Sequence, residues 1–285
     1  MRAALYGSVV ALFLACGSET STFDDGGGSD GGAGSSGSSG SSGGFTMGSD
    51  ASPSDGSGAA PATDVEAVVT TDNAFSFGYG SSSNLVSFIR GEGSDGPGIF
   101  DCPVGYGPVR FVVPAAQAPT GSYLYVIAWA DNEWTQGTLA QFKRVGGEAI
   151  YSGDGAWEVC AIGTPYEDLG PGPDQNAVDA AIGACNAGAG GATFSKGWVT
   201  TAGAKTAGAV GKLAYGEAND DSAGDFPIVC QIDDAGVSGI DAVARWMWFD
   251  PQDGKSPFVG NDGNRTKTFL VFRLPADALP PPPVK

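Results

Sequence analysis

From residue 63 onward, apolar positions recur every second residue in short runs. The runs are 65–71, 75–79, 85–90, 109–113, 123–130, 138–144 and 157–161, followed late in the chain by 242–249 and 267–274. They are rich in β-branched and aromatic residues and are separated by Gly, Pro and Asn/Asp clusters, the pattern of strands and turns. The number and spacing of these runs predict a mainly β protein, an antiparallel β-sandwich or jelly roll.

Residues 171–225 break the pattern. Pro173 and Asp174 make a helix start, and Val178, Ala181, Ile182 and Cys185 fall at i, i+3, i+4 and i+7 on one face. Gly188 to Gly191 then ends the helix. This stretch reads as a short helical insertion docked on the sandwich. The run Tyr123-Leu124-Tyr125-Val126-Ile127-Ala128-Trp129 is apolar on both faces, so both need cover. The insertion is a candidate cover; the alternative is an exposed aromatic platform of Tyr123, Tyr125 and Trp129.

The ends of the chain differ again. Arg2 precedes an apolar stretch ending at Ala15, and Cys16 follows. An apolar run of about 13 residues is too short to span a bilayer but suits a signal-peptide core. Leu12-Phe13-Leu14-Ala15-Cys16 resembles a lipobox, which implies lipid on Cys16 and, with Gly17 next, placement at the outer membrane or cell surface. Phe13 departs from the usual Leu of that motif. Residues 1–15 are therefore expected to be a signal peptide. Residues 16–62, rich in Gly and Ser, are expected to form a disordered tether with an r.m.s. span of about 35–40 Å. The sandwich domain is then 63–279, and Pro280 to Pro283 begin a polyproline tail over 280–285.

Charge and composition narrow the chemistry. The net charge is -18, from 14 Lys+Arg against 32 Asp+Glu, and most of the acid lies in the domain. Such a surface repels phosphate backbones, so nucleic-acid binding is not expected. Histidine is absent, which excludes Ser-His-Asp and Cys-His catalysis and His-ligated zinc. With Cys16 assigned to lipid, Cys102, Cys160, Cys185 and Cys230 remain, an even set that predicts two disulfides. Three connectivities exist. Pairing within each half of the chain favours Cys102–Cys160 and Cys185–Cys230.

Local motifs add little chemistry. Gly91-Glu92-Gly93-Ser94-Asp95-Gly96 has the spacing of a dinucleotide loop, but Pro97 and Gly98 follow where a helix should start. Asn219-Asp220-Asp221-Ser222-Ala223-Gly224-Asp225 has Ala223 where a calcium loop needs an oxygen ligand, which leaves only an irregular Ca2+ site as a candidate and no expected cofactor. Two strand edges carry Asp-Asn beside an aromatic: Asp72-Asn73 before Phe75, and Asp131-Asn132 before Trp134. The plain reading is a pair of Asx turns. The functional reading is a sugar site, in which the carboxylate and amide take ring hydroxyls while an aromatic face stacks on the sugar.

The runs Ala128-Trp129-Ala130-Asp131-Asn132, Gln136-Gly137, Leu139, Trp157-Glu158-Val159 and Ala244-Arg245-Trp246-Met247-Trp248 resemble secreted bacterial β-sandwich surface modules that are uncharacterised. The Asp-Asn edge is similar to that of PA14-like sugar-binding sandwiches. The resemblance implies a sandwich outside the cytoplasm and carries over no catalytic residue. The expected function is a lipid-anchored binding or adhesion module whose partner is a polysaccharide or envelope protein. One alternative is a carbohydrate-active enzyme with paired carboxylates, Glu133 with Glu158 or Asp131; another is a purely structural envelope protein.

Overall fold

The computed structural model describes residues 62–72, 74–91, 107–129, 135–165, 172–231, 239–259 and 268–284. Cys16, Cys102 and the expected signal and tether lie outside them. Two antiparallel sheets face each other, as the period of two predicts. One has the order β11-β12-β6-β1-β4, with β7 also on β6: β1 (Val65–Asp72), β4 (Val109–Val113), β6 (Gly137–Arg144), β7 (Ala149–Tyr151), β11 (Lys212–Ala218) and β12 (Arg245–Asp250). The other has the order β10-β9-β8-β13-β5-β2-β3: β2 (Ala74–Gly80), β3 (Leu85–Ile89), β5 (Tyr123–Trp129), β8 (Glu158–Pro165), β9 (Val199–Thr200), β10 (Gly203–Ala204) and β13 (Thr268–Pro275).

Alternation explains the core. Phe111 and Phe142 flank Ala67 in register and both meet Phe77 of the opposite sheet, at ring-centroid distances of 4.4 and 6.0 Å. Leu124, Val126 and Ala128 of β5 join this inter-sheet core. Tyr125, Ile127 and Trp129, on the other face of the same strand, enter a second apolar cluster with Val178, Ile182, Cys185 and Trp198. The two-faced strand is thus covered by helix α1 (Gln175–Ala187) and the segment after it. Tyr125 and Trp129 are buried there, so the exposed aromatic platform is overturned.

Helix α1 forms where its apolar spacing predicts. The Asp174 side chain caps it by accepting from Ala177 N–H, and its buried residues are Val178, Ala181, Ile182 and Cys185. Gly188, at φ 63°, ends it in a conformation that costs glycine little. Cys185 bonds to Cys160 of β8, pinning the helix to the sheet. This corrects both favoured pairings, Cys102–Cys160 and Cys185–Cys230. Sequence distance misjudged them, because β8 runs directly beneath the helix. Cys230 is also disulfide-bonded, with its partner outside the described residues.

The expected insertion 171–225 is in fact two structures. Its first part covers the β5 sheet, and its second contains β11, an edge strand of the other sheet. Beyond β11, residues 219–231 and 239–244 pack around Asn219. That side chain donates to the carbonyls of Val229 and Ile240 and accepts from Val229 N–H. Phe226 of this segment stacks on Trp246 at 4.2 Å, and Asp241 N–H donates to the Gln141 side chain.

Candidate functional site

Strand direction sorts the connections into two poles. At the lower pole β1 begins, and the turns around residues 81–84, 114–122 and 145–148 gather beside it. There Arg144 donates to the carbonyls of Thr63, Ala118 and Ala276, and Ala115 N–H donates to Asp64. Residues 62–64 therefore join the domain at this pole, where the chain also leaves it after Ala276. A shallow open groove of about 290 Å³ between Ser81, Val86, Ala116 and Pro119 lies there too, and no ionisable side chain lines it.

The upper pole receives the ends of β1, β3, β5, β8 and β12 and the starts of β2, β4, β6, β11 and β13. Register pairs the strand ends that flank the two Asp-Asn motifs here: Asp72 with Gly137 and Ala74 with Trp129. The Thr135 hydroxyl donates to the Asp72 carboxylate at 2.6 Å. Beneath them Thr71 and Thr138 share a hydroxyl hydrogen bond of 3.1 Å. Gln136 donates from its backbone to Phe258 O and from its amide to Pro257 O. The buried Oε1 of Gln136 has no hydrogen-bond partner among the described residues.

Asp72 ends β1 at 4 % exposure, and its carboxylate accepts from Thr135. Asn73, Asp131, Asn132, Glu133 and Trp134 lie outside the described residues.

Glu158 is also committed elsewhere. It sits at the lower end of β8, buried on the sheet's outer face, where Arg273 donates to its Oε2 at 2.8 and 2.7 Å and Lys205 lies 3.6 Å from its Oε1. Along the same sheet, register places Arg273 beside Tyr125, four residues or about 13 Å of strand from Trp129. Glu158 is thus a structural anion and does not reach the upper pole as half of a carboxylate pair. The Arg273 guanidinium lies over the Trp198 ring at 3.6 Å and over Tyr123 at 4.6 Å, so it bridges β13 to the segment that covers it.

The acidic loop 219–225 is organised by backbone N–H bonds to carboxylates. Glu217 accepts from the backbone N–H of Ala223 (2.8 Å), Asp225 (3.3 Å) and Phe226, and Asp220 accepts from Ser222 N–H. Among the described residues no group of three His, Cys, Asp or Glu side chains is placed to hold a metal. Gly91, first residue of the dinucleotide-like spacing, donates to Ser76 Oγ as part of a strand edge.

Sequence reasoning missed Phe194. It is 56 % exposed and the only exposed aromatic side chain among the described residues. The available signal was an aromatic residue among small and polar neighbours, Gly191-Ala192-Thr193-Phe194-Ser195-Lys196. No protein-family model matches the chain, and neither a curated protein nor a solved structure matches it.

Proposed function

We propose that this protein is a binding module anchored through a lipid on Cys16 at the outer membrane or cell surface. In this reading its upper pole recognises a polysaccharide or another envelope component, without catalysis. One observation carries the proposal: residues 62–64 join the domain at the lower pole, and the strand ends that flank the two Asp-Asn motifs are paired at the upper one. A tether that enters at the lower pole leaves the opposite pole unobstructed for a ligand. Rigid sheets that present irregular connections at one end are a common way to position recognition residues. The lack of histidine and the commitment of Glu158 to Arg273 favour recognition over hydrolysis.

The test is a polysaccharide array combined with a turnover screen on the full mature lipoprotein in detergent. Saturable binding without released product is the expected result. Hydrolysis of any bound polysaccharide would replace this reading with the carbohydrate-active enzyme.

A further inference from the structure

The exposed ring of Phe194 is the feature of the upper pole that turn formation does not account for. A phenylalanine this open gives up most of the burial that usually repays its place in a sequence. Its backbone is nevertheless fixed from several sides. Lys196 N–H closes a turn onto Thr193 O at 3.2 Å, and Lys196 adopts a left-handed φ of 53°. Ser195 N–H donates to Ala161 O at 3.2 Å, and its hydroxyl donates to Gly197 O while accepting from Ala161 N–H. Val210 N–H holds Ser195 O at 2.8 Å.

The ring itself is supported as well. It meets Phe249 edge-to-face, with centroids 6.0 Å apart. Gly163 lies against its Cβ so closely that a methyl group there would stand 3.0 Å away. Gly163 is two residues from the upper end of β8, and Phe249 is one from the upper end of β12, so the ring belongs to the pole of the Asp-Asn corners. A residue held this firmly while open to solvent is organised before any ligand arrives.

We propose that Phe194 is a stacking residue that takes the apolar face of a neutral sugar ring. The proposal rests on the reading of the upper pole as a polysaccharide-binding surface. Size and charge choose the occupant. The apolar patch consists of one ring and the neighbouring exposed Val210, far less than the several hundred Å² of contiguous apolar surface that marks a protein-docking site. One aromatic face matches one pyranose face. The net charge of -18 disfavours phosphate-rich and other polyanionic glycans, leaving neutral ones. Lys196, exposed on the same turn, supplies an ammonium donor for ring hydroxyls.

The experiment compares the full mature lipoprotein with its Phe194→Ala, Phe194→Leu and Phe194→Tyr variants on an array of neutral bacterial polysaccharides and defined oligosaccharides. Melting temperatures are recorded in parallel. Phe194→Ala and Phe194→Leu should each lose about tenfold in affinity, and Phe194→Tyr should stay close to wild type, because stacking requires the ring and not its apolarity. All three should melt near the wild-type temperature. If wild type binds and the Leu variant binds equally well, stacking by Phe194 is overturned while the binding module stands. A wild type that binds no polysaccharide on the array overturns this proposal together with the polysaccharide reading of the pole.

Discussion

Arg273 and Glu158 form a buried ion pair between two aromatic rings, and each depends on the other for its solvation. Removing Arg273 leaves buried Glu158 with only Lys205, 3.6 Å away, and removing Glu158 leaves buried Arg273 without an anion, each a cost of up to about 3–5 kcal/mol, whereas replacing both with uncharged residues costs less than the sum. Urea unfolding of Arg273→Met, Glu158→Gln and the double variant should therefore give a large non-additive coupling. Additive losses would mean that packing of Arg273 against Trp198, and not its charge, holds the covering segment down. Two tyrosines predict the response to alkali. Burial pushes the phenols of Tyr125 and Tyr215 well above their ordinary value, and Tyr125 OH donates to Ser81 O while Tyr215 OH donates to Asp154 O. A folded-state pKa raised above the unfolded one stabilises fully below about pH 10 and less as pH rises past it, because only the unfolded chain can then ionise. Unfolding free energy should fall between pH 9 and pH 11, and the fall should be smaller in the Tyr125→Phe, Tyr215→Phe double variant.

At the scale of elements, the disulfide between β8 and α1 closes a loop of 25 residues. Its loss should cost about 3–4 kcal/mol in the chain-entropy model. A Cys160→Ala, Cys185→Ala variant should melt at a markedly lower temperature, and alkylation of the native oxidised protein should label none of Cys160, Cys185 and Cys230. Labelling of the first two would contradict the pairing. Why this pairing escaped the sequence is physical: the chain order of cysteines does not encode which strand lies under a helix. What the sequence did disclose is local. The spacing of Val178, Ala181, Ile182 and Cys185 defined the buried face of α1, and the unbroken apolar run of β5 signalled cover on both faces. β11 went unread because Lys212–Ala218 is mostly small or polar and becomes a strand only by pairing with β12. Of the candidate site, the Asp-Asn pairs stood out as a motif, but the pairing of the strand ends that flank them is a property of register and could not be read from spacing.

Across the whole molecule, α1 and Trp198 cover the outer face of β5, while Phe226, Val229 and Ile240 around Asn219 join the inter-sheet cluster. β5 is thereby buried on both sides. The lower pole is occupied by backbone carbonyls held by Arg144, the place where residues 62–64 arrive. This polarity has a function only if the preceding chain is fixed to something, which makes the anchor the test of the scheme. No helix among the described residues is long and apolar enough to cross a membrane. The apolar stretch before Cys16, about 13 residues, falls short of the roughly 20 that a spanning helix needs. In the proposed reading attachment comes from acyl chains on Cys16, each buried methylene contributing about 0.8 kcal/mol. The Cys16→Ser variant should lose its lipid and move from the membrane fraction to the soluble fraction, with the melting temperature of the sandwich unchanged. Persistence of that variant in membranes after a high-salt wash would rule out the lipid anchor and remove the reason for the upper pole to face outward.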